Sequence, residues 1–126
     1  MMYKSDVLIF TKEPNTNGRV YDLKETSFPS EVPLYCDEPT GNVKIDRQIG
    51  TTKLYLDGDK IVGKSHIYDE HTMFLLKTGL KLYTVTSGAG KLNEKTKVVE
   101  DYELQNVFIT PNPGDEKLTP LSSDDL

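Results

Sequence analysis

Cysteine and histidine are the scarcest chemistry-bearing residues of this chain, and their scarcity narrows what it can do. Cys36 is the only cysteine in 126 residues. No disulfide can close within the chain, which fits a reducing compartment. His66 and His71 are the only histidines. A metal centre would need both to converge with Cys36 and acids such as Asp37, so neither a metal nor another cofactor is expected. No apolar run approaches membrane-spanning length, and no membrane partner is expected. Residues 1–10 lack the basic region, apolar core and small-residue cleavage site of a secretory signal, so cytoplasmic synthesis is the expectation. Basic clusters interleaved with aromatics are also missing, and the net charge is −5. A nucleic-acid groove is therefore not expected.

What is present suits one small polar domain. Hydrophobic residues are 36% of the chain and charged residues 28%, so the core must come from short strands and little helix. Residues 5–12 (SDVLIFTK) carry a continuous apolar run, Val7 to Phe10, consistent with a strand buried on both faces. Pro14 and Asn17-Gly18 then break the strand into a loop, which Arg19, Val20 and Tyr21 leave as an edge segment. Pro29 and Pro33 predict a winding connection over 22–33 rather than a long helix or central strand. A short strand, 32–36, ends at Cys36-Asp37-Glu38-Pro39. Alternating runs at 48–56 and 60–68 flank Asp57-Gly58-Asp59 and predict a hairpin. Asp69 as N-cap, Glu70 in the first turn and Gly79 at C′ predict one helix over 70–78, with Met73, Leu76 and Leu80 facing inward. Residues 91–97 read as a turn and 98–110 as one bent strand or two. The ordered domain is expected to span 1–114, and the acidic stretch 115–126 to form a flexible tail.

The stretch around which the rest is organised is Leu80–Gly90 (LKLYTVTSGAG). Alternation puts Leu80, Leu82, Thr84 and Thr86 on one face of a strand, and Lys81, Tyr83, Val85 and Ser87 on the other. Gly88, Ala89 and Gly90 then permit a tight turn. A hydroxyl at that position suits nucleophilic catalysis, with Thr86 or Ser87 attacking and His66 as base. Backbone N–H groups at Gly88 and Gly90 would meet the oxyanion. The same stretch serves equally as an ordinary hairpin end. A phosphate cradle at 87–90 would need a helix behind it, and 91–97 is not helical in pattern.

Taken together, these motifs resemble the prohead maturation proteases of tailed bacteriophages, whose fold is related to the herpesvirus assemblin proteases. Asn15-Thr16-Asn17-Gly18-Arg19-Val20-Tyr21 is similar to that family's N-x-N-G-R-hydrophobic-Y signature after the first strand, so Asn17, Gly18, Arg19 and Tyr21 carry the most specific likeness. Residues 84–90 fall where the family has its serine- and glycine-rich nucleophile motif. Residues 104–113 resemble its closing strand. The resemblance implies an α+β, mainly β fold: a small, mostly antiparallel sheet or barrel of six or seven strands with one main helix. It also implies that the family's histidine is replaced by Cys36, Asp37 or Glu38, and its third member by Asn106. The nucleophile falls on Thr86, or on Ser87 with a slip of one. Two functions follow. One is a non-catalytic phage head protein that binds capsid or scaffold chains, in the host cytoplasm during assembly or in the virion head, with a homo-oligomer as one option. The other is a divergent active protease using Ser87 or Thr86 with a relocated His66 base. Triad members act as a unit, so loss of the base alone removes most activity.

Overall fold

The structure, a computed structural model, describes residues 2–10, 14, 18–36, 48–113 and 117–123. Among them are nine strands and one α-helix, and the chain is mainly β. The hairpin of β5 (Gln48–Asp57) and β6 (Lys60–Ile67) forms where the alternation places it. Asp57 pairs with Lys60, and the intervening Gly58 takes φ +63°, the left-handed conformation that a tight turn requires and that glycine adopts without penalty. Its inward residues Thr52, Leu54, Ile61, Ser65 and Ile67 are all buried. Two of them are hydroxyls, and they satisfy each other: Thr52 Oγ1 lies 2.8 Å from Ser65 Oγ.

β8 (Val98–Thr110) is the spine of the sheet. One of its edges carries β7 (Tyr83–Leu92), antiparallel. The other carries β2 (Val20–Tyr21), β3 (Thr26–Ser27) and β4 (Glu31–Tyr35) in succession, all parallel to it. A short 3₁₀ turn, Leu23–Glu25, separates β2 from β3. Beyond β4 the order continues β5, β6, β1 (Met2–Phe10) and β9 (Ser122–Ser123). The sheet is open and mixed: its long ladders are antiparallel, and the three short pairings of β2, β3 and β4 with β8 are parallel. A strand as long as β8 can border several short strands of a connection that travels alongside it once. The winding stretch 20–35 does this, and so pairs in parallel.

The core lies against one face of this sheet. Leu34, Ile61, Ile67, Leu104 and Val107 are wholly shielded from solvent, each worth about 1.5–3 kcal/mol of apolar burial. Helix α1 (Glu70–Lys77) lays Met73 and Leu76 on that core. Its ends are set as the sequence indicates. Asp69 Oδ2 accepts from the Thr72 backbone N–H at 3.0 Å and from the Thr72 hydroxyl at 2.7 Å. Gly79, at φ +96°, donates to the Leu76 carbonyl, and Leu80 donates to the Leu75 carbonyl, closing a Schellman motif.

Four expectations give way. Leu80 is 43% exposed, because the Schellman turn swings it out of the inward stripe. Pro33 lies inside β4, tolerated because pairing to β8 starts only at Leu34, so at Pro33 the strand has a single neighbour. The stretch Gly88-Ala89-Gly90 is strand, not turn, since β7 runs on to Leu92 and the reversal is made by residues 93–97. Asn93 holds that reversal, its side-chain oxygen accepting from the Lys95 and Thr96 amides. Within the stretch read as a flexible tail, residues 121–123 are held: Ser122 and Ser123 pair with Lys4 and Tyr3 of β1, and the Leu121 N–H donates to the Leu82 carbonyl at 2.8 Å.

Candidate functional site

Strand alternation sends the two hydroxyls of β7 to opposite faces. Thr86 stands opposite the buried Val107 and faces the core. Its hydroxyl hydrogen-bonds the phenol of Tyr102, which is itself buried. Burial pushes the Tyr102 phenol above the ordinary tyrosine range, and the nearby Tyr21 adds to this, while the bond from Thr86 pulls the other way. Tyr21 meets Tyr102 edge to face, ring centroids 5.0 Å apart. Ser87 is on the outer face, cross-strand from Asn106.

The glycines after Ser87 are explained by packing across the β7–β8 ladder. The register shifts between Ser87 and Gly88 and again between Ala89 and Lys91. These irregularities bring β8 unusually close. A Cβ at Gly88 would overlap the Glu103 carbonyl oxygen and stand 2.9 Å from the Tyr102 ring and hydroxyl. One at Gly90 would lie 3.0 Å from the Glu100 carbonyl oxygen. Both positions are therefore glycine because a backbone and a tyrosine fill the space, whatever the chemistry nearby.

His66 is on β6, opposite Met2 and Thr51. It is exposed and points outward with Lys64 and Tyr68, its ring edge-on to Tyr68 with centroids 5.5 Å apart. In the strand order β8, β4 and β5 stand between β6 and β7 on one side, and β1, which touches β7, stands between them on the other. Thr86 faces the core and His66 faces solvent, so the fold does not bring this base to that hydroxyl. His71, in the first turn of α1, is also exposed. Neither histidine lies on β4, β7 or β8.

Other residues singled out by sequence do gather. Cys36, exposed, follows the last residue of β4, which borders β8 through Leu34–Val107 and Tyr35–Phe108. Asn106 and the Thr86-Ser87 pair thus sit on neighbouring strands, with Cys36 just past the end of a third. Asn106 Oδ1 is shielded from solvent with no hydrogen-bond partner among the described residues. Gly18, at φ +80°, and Arg19 are exposed ahead of β2, and Tyr21 reaches Tyr102. Asn17, Asp37 and Glu38 lie outside the described residues. Tyr102 is the residue that motif reading misses. Its signal was obscured by the positive φ of Asp101 and the extra residue at Gln105, which break the alternation of β8.

Two open clefts flank this region. One, of about 270 Å³, is polar and lined by Lys24, Glu25, Ser27, Asp101 and Glu103 beside Tyr102. The Asp101 N–H donates to Glu25 Oε2 at 3.0 Å across it. Its acids form no set able to hold a metal ion among the described residues. The other, of about 330 Å³, lies between the end of α1, Tyr3 and the C-terminal segment. No helix is long and apolar enough to cross a membrane among the described residues. No protein-family model matches the chain, and neither the curated proteins nor the solved structures contain a match.

Proposed function

We propose that this chain is a phage head protein with a prohead-protease-like framework that binds capsid or scaffold chains without cleaving them. The observation that carries this reading is the setting of the hydroxyls. Of the triad positions implied by the resemblance, Thr86 is on β7, Asn106 on β8 and Cys36 just past the end of β4, yet neither imidazole of the chain is on those strands. A neutral hydroxyl needs a base in hydrogen-bond contact to become a nucleophile. Thr86 instead meets a buried phenol whose pKa is raised above the ordinary tyrosine value, so at neutral pH it keeps its own proton and cannot serve as the base. Nucleophilic attack by Thr86 has no support from such surroundings.

Binding has a physical route. Among the described residues no strand pairs with the second edge of β7, which only touches β1 and is met at its start by Leu121, so an extended segment of a capsid or scaffold chain would add there by displacing those contacts. Main-chain hydrogen bonds would supply affinity, and the alternating outward residues Tyr83, Val85 and Ser87 would supply selectivity. Association would take place in the host cytoplasm during head assembly, with retention in the head following from the same contacts.

Co-expression with the major capsid protein encoded alongside this chain tests the reading. The expected result is co-purification with no change in capsid-protein mass, identical in wild type and in the Ser87→Ala and Thr86→Ala variants. Cleavage that disappears in either variant would establish the active protease instead. Absence of both cleavage and association would remove the head assignment.

A further inference from the structure

The C-terminal segment occupies a position that no local signal explains. The sheet is open, and its two flanks, β1 and β7, come into contact without pairing among the described residues. Residues 121–123 fill the seam between them. Leu121 donates to Leu82, immediately before β7, while Ser122 and Ser123 pair with β1. Pro120 and Leu121 line the cleft at the end of α1, with Leu76, Leu80 and Tyr3, and Leu121 packs on the core. One strand edge, one apolar socket and one carbonyl acceptor therefore converge on a single short peptide.

Among the described residues that peptide is seated by a two-residue ladder, one further backbone bond and one leucine packed on the core. Lys117 adds a bond from its Nζ to the Pro14 carbonyl at 2.6 Å. Segments with so few contacts open locally far more often than the whole domain unfolds. The preceding linker, residues 111–120, contains Pro111, Pro113 and Pro120. Prolines favour an extended course, and ten extended residues span roughly 35 Å. That exceeds the ~14 Å radius of gyration of a domain this size, so the peptide can reach a neighbouring molecule.

We propose that the seam is a strand-acceptor slot whose occupant is exchangeable, and that a second copy of this chain supplies the same 120–123 segment in trans, giving a reciprocal swapped dimer. The second copy is the fitting occupant because it carries the sequence already seated there, with the same register and the same leucine. The contacts in cis and in trans are identical, so concentration decides between them.

Two singly labelled chains test this, both in a Cys36→Ser background. One carries Lys4→Cys and the other Ser122→Cys, the pair that faces across β1 and β9. Opposed strand residues lie close enough for a disulfide. After mixing and mild oxidation, a covalent heterodimer is expected on a non-reducing gel. Well below saturation its fraction should rise about tenfold for each tenfold rise in protein concentration, by mass action. A third chain with Asp57→Cys, at the far hairpin tip, replaces Lys4→Cys as the control for random collision. A chain carrying both Lys4→Cys and Ser122→Cys should crosslink within itself at low concentration, which verifies that the variants fold with the segment seated. Heterodimer no more abundant than the hairpin-tip control overturns the proposal. So does failure of the doubly substituted chain to crosslink at all.

Discussion

Gly88 is where the β7–β8 ladder leaves no room for a side chain, and its replacement has a calculable direction. Gly88→Ala would drive a Cβ into the Glu103 carbonyl and against the Tyr102 phenol, and overpacking of this kind costs about 1–3 kcal/mol. Gly63→Ala is the matched comparison. Its Cβ would meet only the ends of Leu8 and Thr52, at 2.8 and 2.9 Å, and side-chain ends can yield where backbone cannot. Denaturant midpoints should therefore fall further for Gly88→Ala than for Gly63→Ala; the reverse order would mean that β8 does not approach β7 this closely. The neighbouring phenol supplies a second expectation. Tyr102 ionises above the usual tyrosine value of 10.0 in the folded chain, chiefly because it is buried. A raised folded value stabilises the native state fully below the unfolded value, and that contribution disappears as pH rises through the folded one. Ultraviolet titration of the chain's seven tyrosines should show a late phenolate phase that Tyr102→Phe removes. Loss of stability in alkali should be shallower in that variant as well.

Elements whose signals are local were legible in the sequence; those decided by distant strands were not. Helix α1 is the clearest legible case, since Asp69, Thr72 and Gly79 set both ends within a dozen residues. Asp69→Ala should cost about 1 kcal/mol by removing the acceptor for the Thr72 amide and hydroxyl. Those same bonds, the Thr72 hydroxyl foremost, hold the Asp69 carboxyl below its ordinary value of 3.8, although partial burial opposes them. A depressed folded value contributes stability above the unfolded one and loses it as pH falls through the folded one. The gap between wild type and Asp69→Ala, measured by thermal melts across acid pH, should accordingly be full at neutrality and close below about pH 4. The β5–β6 hairpin was equally plain from Gly58 and the flanking alternation. By contrast, Gly88-Ala89-Gly90 has the composition of a turn, and only the irregular register of β8, remote in sequence, keeps it in a strand. Pro33 misleads for the same reason, because what matters is whether a second neighbour needs its missing N–H. At the candidate site, alternation correctly separated Thr86 from Ser87, since facing is a local property. Whether His66 reaches either hydroxyl depends on how many strands intervene, and strand order is not written in any one segment.

At the scale of the molecule, the decisive feature is a sheet that curls until its flanks touch yet depends on a peptide from the far end of the chain to join them. Sheets with unpaired flanks expose backbone groups that invite other strands, and proteins commonly cover such edges. Here the cover is thin, and among its described residues Leu121 is the one that packs on the core. Replacing it with aspartate would remove a half-buried leucine from the core margin, a loss on the order of 1 kcal/mol. It would also place a carboxylate in the cleft lined by Tyr3, Leu76 and Leu80. The consequence should be local rather than global. Hydrogen exchange should quicken together at Tyr3 and Lys4 in β1 and at Leu121 to Ser123, two places far apart in sequence and joined only by this seam. Protection in the β5–β6 hairpin should change little, because the Thr52–Ser65 bond and the hairpin ladder do not involve the tail. Uniform acceleration across both regions would mean that the segment is part of the main cooperative core. Acceleration confined to the seam would mark it as the least stable unit of the fold, the property that an exchangeable strand requires.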